Sequence, residues 1–307
     1  MLAFLLVLAS CPAQASQPIK PAVSAPTQIV VIGASLSAGF GLRGELDADF
    51  DLARTFELAI KGSNAKVHSL ASAFLFTDPL GLGSKQVDQA IAREPDLIIA
   101  LDFAFWFGHG AGATDEQRMQ MIERGLSLID DFNCPLLLGD LPDVTSAAKK
   151  PDENSGRKAM ISKSQLPSPD CLARINTRLH QWASGRPLVQ IYPLHASMLE
   201  QHSQETVRFR DNVYDVERKQ TLIQADLLHS TYRGTALVAL KALDALVQRD
   251  QIKGDAVEWD ATLLEQAIWQ ATEEERGNRR RKRTEREERK RAREEKREQQ
   301  FQLSPPR

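Results

Sequence analysis

Short apolar runs rich in Val, Ile and Leu alternate with amphipathic segments between residues 28 and 248, and this alternation constrains the fold most. Four runs predict strands, at residues 28–32, 96–101, 135–138 and 188–192, and the more polar residues 66–70 are a possible further strand. Segments with apolar residues at helical spacing lie between or after them, at residues 49–60, 84–92, 115–131, 170–183 and 232–248. Strands that alternate with helices predict a parallel central sheet covered on both faces, which is a three-layer α/β/α sandwich. The functional groups are then expected in loops beyond the carboxyl ends of the strands.

The charge of the chain is distributed unevenly. The formal net charge over 307 residues is -2, but residues 273–298 contain 13 Lys and Arg against 9 Asp and Glu. This segment therefore sums to +4 and the rest of the chain to -6. With 42% hydrophobic residues, the composition excludes a wholly disordered or multi-span membrane chain. We expect no nucleic-acid partner.

The amino terminus has the composition of an export signal. Residues 1–10 are apolar apart from one serine, a run too short to span a bilayer. We predict a signal peptide over residues 1–15, cleaved either after Ala15 or before Cys11, whose surroundings resemble the bacterial lipobox. A buried strand or helix is the alternative. Residues 16–27 are predicted to be a linker. The expected location is the periplasm or, through a lipidated Cys11, the membrane of a bacterial envelope.

The carboxyl-terminal part is predicted to differ from the body. After a domain at residues 28–250, residues 251–271 are predicted to form a helical extension and residues 272–307 a charged tail. The tail is too polar to bury a core, and we expect it to be disordered or helical in the manner of a coiled coil. A break from the preceding helix is expected at Gly277 and Asn278. The tail either contacts an anionic surface or serves as a solvated spacer.

The cysteines allow two interpretations. If Cys11 is removed or lipidated, Cys134 and Cys171 remain, and in an oxidising compartment they either form a disulfide or stay as separate buried thiols. The sequence contains no cluster of Cys and His at metal-binding spacing, so we expect no metal and no organic cofactor.

Two loops carry the residues of a nucleophilic site. Ser35 follows the first strand in a glycine-containing turn, where its hydroxyl can lie at the edge of the sheet; an ordinary turn with a capping serine is the alternative. Asp226 and His229 are three residues apart, directly before the last helix. At that spacing a carboxylate can orient the imidazole, whose other nitrogen can accept the serine proton.

These stretches resemble the conserved blocks of the SGNH, or GDSL, hydrolases. The segment VVIGASLSAGFGL resembles their first block and DLLHSTYRG their last, and the resemblance covers residues 28–250. It implies a parallel α/β/α sandwich with Ser35 as nucleophile, His229 as general base and Asp226 as its partner. It further implies an ester hydrolase that forms an acyl-enzyme on a small-molecule, lipid or acylated carbohydrate ester. It predicts nothing about the oligomeric state.

The sequence departs from that family at three places. Ala34 stands where the family has Asp, no glycine can be assigned to its second block, and residues 103–106 lack its asparagine. The asparagine donates to the oxyanion, and losing one such donor costs about 10²–10³ in rate. The Ser35 N–H remains as a donor. Phe103, Phe105 and Trp106 are predicted to form an apolar substrate wall, with core packing as the alternative. The departures favour a second hypothesis, a non-catalytic SGNH-like binding module of the envelope.

Overall fold

The structure, a computed structural model, describes residues 26–61, 65–148, 160–203 and 205–302, with side chains as far as residue 294. Five strands form one sheet in the order β2-β1-β3-β4-β5, and every neighbouring pair is parallel. Two further strands form an antiparallel hairpin. The strands are β1 Gln28–Val31, β2 Lys66–Ser69, β3 Leu97–Ala100, β4 Leu136–Gly139, β5 Val189–Tyr192, β6 Val207–Phe209 and β7 Asn212–Tyr214.

Helices cover both faces of the sheet. The described helices are α1 Leu42–Leu46, α2 Leu52–Ala59, α3 Pro79–Ile91, α4 Phe105–Gly108, α5 Asp115–Leu128, α6 Thr145–Ala148, α7 Pro169–Ser184, α8 Leu194–His202, α9 Val216–Gln220, α10 Tyr232–Val247, α11 Ala261–Ala271 and α12 Glu273–Gln302. Helices α2, α10 and α11 pack together on one face, and α3, α5 and α7 on the other. The predicted three-layer α/β/α sandwich with a parallel sheet is confirmed.

The two-residue period of the central strands explains why both faces carry a core. In β1, Ile29 and Val31 belong to the core beside α10, whereas Val30 belongs to the core beside α5. In β3, Leu97 and Ile99 alternate in the same way with the residues between them. Successive side chains of a strand point to opposite faces, so a central strand buried on both sides must be apolar throughout. This is why continuous apolar runs marked the strands in the sequence.

The helical extension belongs to the domain. The apolar side of α11, formed by Ala261, Leu264 and Ile268, is buried in the core beside α10. The predicted break at Gly277 and Asn278 is wrong, because α11 ends at Ala271 and α12 runs through both residues. Ion pairs stabilise the first turns of α12 across the glycine, and they include a contact from Arg279 to Glu275 four residues earlier.

Cys171 is not joined to Cys134. Both side chains are buried, and the Cys171 thiol donates instead to the carbonyl oxygen of Asp115. Burial raises the pKa of the Cys171 thiol to about 11, so the group stays protonated and unreactive at neutral pH.

The predictions for the signal peptide, for Cys11 and for linker residues 16–25 lie outside the described residues. Within the part of the chain that the structure describes, no helix is both long enough and apolar enough to cross a membrane.

Candidate active site

Ser35 lies in a tight turn just beyond the carboxyl end of β1. Gly33 precedes it with φ at 148°, where a side chain would collide with Asp102, so glycine is required. The buried Gln86 side chain of α3 holds the same glycine from both sides: Gly33 N–H donates to Gln86 Oε1 at 2.9 Å, and Gln86 Nε2 donates to the Gly33 carbonyl at 3.0 Å. Backbone hydrogen bonds of the helical type close the turn. Helix α1 begins only at Leu42, so Ser35 does not lie at the positive end of a helix dipole.

The Asp102 carboxylate organises the Ser35 turn from the end of the neighbouring strand β3. It accepts hydrogen bonds from the backbone N–H of Ala34 at 3.0 Å, Leu36 at 2.8 Å and Ser37 at 3.3 Å, and from the Ser37 hydroxyl at 2.5 Å. Burial raises the pKa of Asp102 and outweighs the opposing effect of these bonds. Through its hydrogen bonds to Ala34, Leu36 and Ser37, Asp102 fixes the backbone on both sides of Ser35.

The predicted aspartate and histidine are in direct contact. Asp226 Oδ2 lies 2.7 Å from His229 Nδ1, while Asp226 Oδ1 accepts from the backbone N–H of Leu228 and His229. Leu227 between them has φ at 59°, a left-handed conformation that costs a leucine about 1–3 kcal/mol. Burial alone would raise the pKa of Asp226, but the hydrogen bonds from His229 and Leu228 outweigh it and lower that pKa. The carboxylate is thus ionised at neutral pH and fixes the ring with Nδ1 protonated.

Ser35 and His229 line the same cleft at the carboxyl edge of the sheet. Apolar side chains form much of the wall of this cleft. These apolar residues are Leu36, Phe105, Pro142, Leu194, Met198, Ile223, Leu228 and Val238. Neither Ser35 Oγ nor His229 Nε2 has a hydrogen-bond partner among the described residues. Both atoms therefore remain available to a molecule bound in the cleft.

Gln224 joins the loop that carries His229 to the loop that carries Ser35. Its Nε2 donates at 2.8 Å to the carbonyl oxygens of Phe40 and Ser230, which belong to the two loops. Gly41 lies against the amide, and a side chain there would collide with it. The Phe40 ring packs on the His229 imidazole with centroids 4.5 Å apart. These contacts fix the position of His229 relative to the turn that holds Ser35.

The three predicted aromatic wall residues have different positions. Phe105 lines the cleft and stacks on His109, with ring centroids 4.2 Å apart. Phe103 is 1% exposed and packs against Phe107 in the core, so it does not line the cleft. Trp106 packs against Phe105 and Phe76 at the edge of a smaller apolar cluster. Core packing therefore accounts for Phe103, and only Phe105 of the three contacts the cleft.

The donors for an oxyanion are fewer than the resembled family predicts. The Ser35 N–H has no hydrogen-bond acceptor among the described residues and lies beside the Ser35 hydroxyl. Residues 103–106 bring no side-chain amide to the cleft, since Ala104 and three aromatic residues occupy the segment. Among the described residues no group of His, Cys, Asp and Glu is arranged to hold a metal ion.

Sequence reasoning missed the residues that position the site. Gln86 and Gln224 act through side-chain amides from a distant helix and a later loop, and no motif marks them. The sequence indicated Asp102 only weakly, as an acidic residue directly after a buried apolar strand. Such a residue cannot remain buried without donors around it.

A serine and a histidine–aspartate pair at the carboxyl edge of a parallel sheet are the elements of an acyl-transfer site. Solved structures that the chain resembles include the esterase EstA from Pseudoalteromonas sp. (13% identity, TM-score 0.44, covering 72% of this chain and 97% of that one). A lipase/acylhydrolase from Enterococcus faecalis is 15% identical, with TM-score 0.45 and coverage of 72% and 96%. A protein assigned to the G-D-S-L family, from Desulfitobacterium hafniense, is 13% identical, with TM-score 0.43 and coverage of 72% and 99%.

The protein from Desulfitobacterium hafniense carries the name of the family whose blocks the sequence resembles. No protein-family model and no curated protein matches the sequence.

Proposed function

We propose that the chain is a serine ester hydrolase that acts through Ser35, His229 and Asp226. One observation carries the proposal: the hydrogen bond of 2.7 Å between Asp226 and His229 leaves the other ring nitrogen for the cleft that Ser35 also lines. A carboxylate that orients a histidine beside a serine is the arrangement that activates a hydroxyl for attack on a carbonyl.

The reaction follows from these positions. His229 Nε2 takes the proton of Ser35 Oγ as the oxygen attacks the ester carbonyl, and the Ser35 N–H donates to the oxyanion that forms. The protonated His229, stabilised by the Asp226 carboxylate, gives its proton to the departing alcohol, and an acyl-enzyme remains. A water that loses a proton to His229 then hydrolyses the acyl-enzyme and releases the acid.

The proposed substrate is a lipid ester or an acylated carbohydrate ester. The apolar wall around Phe105, Leu194 and Met198 is suited to an acyl group, because burying an apolar chain there removes it from water. We also propose that the protein is exported, in the periplasm or anchored through Cys11, on the strength of residues 1–15.

A fluorophosphonate probe tests the mechanism, because it reacts only with an activated serine. We expect stoichiometric labelling of the wild type, none of Ser35→Ala, and full labelling of Ser230→Ala, which removes another hydroxyl lining the same cleft. An unlabelled wild type would instead favour the non-catalytic envelope module. Equal labelling of the wild type and Ser35→Ala would exclude Ser35 as the nucleophile.

A further inference from the structure

Helix α12 carries most of its positive charge on one side. Successive residues of a helix are rotated by about 100°, which places seven basic residues within an arc of about 120°. This basic stripe consists of Arg279, Lys282, Arg283, Arg286, Arg289, Lys290 and Arg293. The acidic residues of the same stretch, Glu285, Glu287, Glu288 and Glu294, all lie outside that arc. The apparent alternation of charges in the sequence is therefore a segregation of charges around the helix.

The basic stripe is anchored to the body at Arg279 and is exposed from Lys282 onward. Arg276 stacks on the Trp269 ring of α11 at 3.9 Å, and Arg279 forms ion pairs with Asp49 and Glu275. Residues 281–294 are all exposed, and the described hydrogen bonds and ion pairs of their side chains stay within α12. From Lys282 to Arg293 the helix thus presents a row of cations, about 17 Å long, to its surroundings.

The shape of the stripe indicates a planar partner. In a nucleic-acid groove a helix has phosphates on both sides, since the major groove is only about 12 Å wide. Glu285 flanks the stripe on one side, and Glu287 and Glu294 flank it on the other, so both groove walls would meet carboxylates. A helix that lies on a flat anionic surface contacts it only through the arc that is free of acidic residues. Between Glu273 and Gln300, α12 has Ala292 as its one apolar side chain, so binding along the stripe would be electrostatic, without insertion into hydrocarbon.

We infer that the basic stripe of α12 docks the protein on the anionic headgroups of a phospholipid bilayer. The helix lies flat on the headgroups with its acidic side toward water. This inference rests on α12 alone and is independent of the proposed hydrolase activity.

Co-sedimentation of the full chain with vesicles tests the inference. We expect binding to phosphatidylglycerol/phosphatidylcholine vesicles, weakened by salt, and none to phosphatidylcholine alone. Replacing three residues of the stripe should lower the partition coefficient by roughly 100-fold, and the substitutions are Lys282→Gln, Arg286→Gln and Arg289→Gln.

The matched control removes three positive charges from the opposite side of the same helix. Its substitutions are Arg280→Gln, Arg281→Gln and Arg291→Gln, and we expect a loss below roughly tenfold. Both triple variants should keep the helical circular dichroism and the ester hydrolysis rate of the wild type. The charge-conserving pair Arg286→Lys and Arg289→Lys should bind like the wild type.

Three results would overturn the inference. Equal losses in the two triple variants would show that net charge matters and the stripe does not. A wild type that does not distinguish anionic from neutral vesicles would exclude headgroup docking. Tighter binding to a DNA duplex than to vesicles at the same phosphate concentration would identify the partner as nucleic acid.

Discussion

The substitution Gln86→Glu should convert the support of the Ser35 turn into a pH-sensitive contact. Gln86 accepts from Gly33 N–H and donates to Gly33 C=O, and the side chain is only 4% exposed. A protonated carboxyl group has the same shape and can make both bonds. An ionised carboxylate keeps the first bond but places a second oxygen against the Gly33 carbonyl, with no donor between them.

The size of the effect follows from the burial of the site. Desolvation and the facing carbonyl both disfavour the charged form, and fully buried carboxyl groups have pKa values raised by about 3 units or more. At 1.36 kcal/mol for each unit, such a shift of about 3 units lowers the free energy of unfolding at neutral pH by about 4 kcal/mol. The folded-state pKa is raised, so this penalty is absent below the unfolded-state pKa near 4.3 and grows as pH rises toward the folded-state value.

Urea unfolding from about pH 4 to about pH 8 measures this penalty. Gln89→Glu is the matched control, because Gln89 lies one turn later on the same helix and is exposed. We expect the stability of Gln86→Glu, relative to wild type, to fall by about 4 kcal/mol across this range, and that of Gln89→Glu to change by less than about 0.5 kcal/mol. Parallel pH profiles for the two variants would refute the two-sided bond between Gln86 and Gly33.

The remaining predictions concern two other polar side chains, Asp226 and Arg118. Asp226→Asn should lower kcat/KM for a soluble ester by roughly 10⁴-fold, because an amide no longer fixes the His229 tautomer. The same variant should lose part of the acid dependence of unfolding: the lowered Asp226 pKa gives stability that is present above the unfolded value and lost as pH falls through the folded one. The Arg118 guanidinium donates to the carbonyls of Gly108, Ser164 and Gln165, and Arg118→Leu would leave these carbonyls without that donor. We therefore expect this variant to reduce the free energy of unfolding, measured with urea, by about 2–4 kcal/mol. No change in the urea midpoint would contradict that role for Arg118.

The sheet was predictable because its chemistry is local. A parallel strand buried on both faces requires a continuous apolar run, and such runs predicted β1, β3 and β4 within two residues. The predictions for the edge strands β2 and β5, whose sequences also contain polar residues, agree equally well. The hairpin of β6 and β7 was missed, since its three-residue strands carry polar residues such as Arg208 and Asn212. Helix α1 was also missed, because its five residues are too few to show a helical period.

The positions of Ser35, Asp226 and His229 were readable because each lies in a short motif next to a strand or helix. The side chains that position these residues could not be predicted, because Gln86 and Gln224 bond to partners 53 and 184 residues away in the sequence. The break predicted at Gly277 failed for a related reason. Local helix propensity disfavours glycine there, but contacts of Arg276 with Trp269 and of Arg279 with Asp49 continue the helix.

The bond between Gln224 and Phe40 also bears on the order of folding. The Ser35 turn follows the first strand of the domain, whereas His229 lies just before α10, which packs against α2 and β5. Contacts so distant in sequence form late, because closing such long loops costs entropy before any contact compensates. A nascent chain in which α10 has not yet docked therefore holds the Ser35 turn without His229 beside it. The proposed hydrolytic activity should arise in one step, with the final closure of the domain.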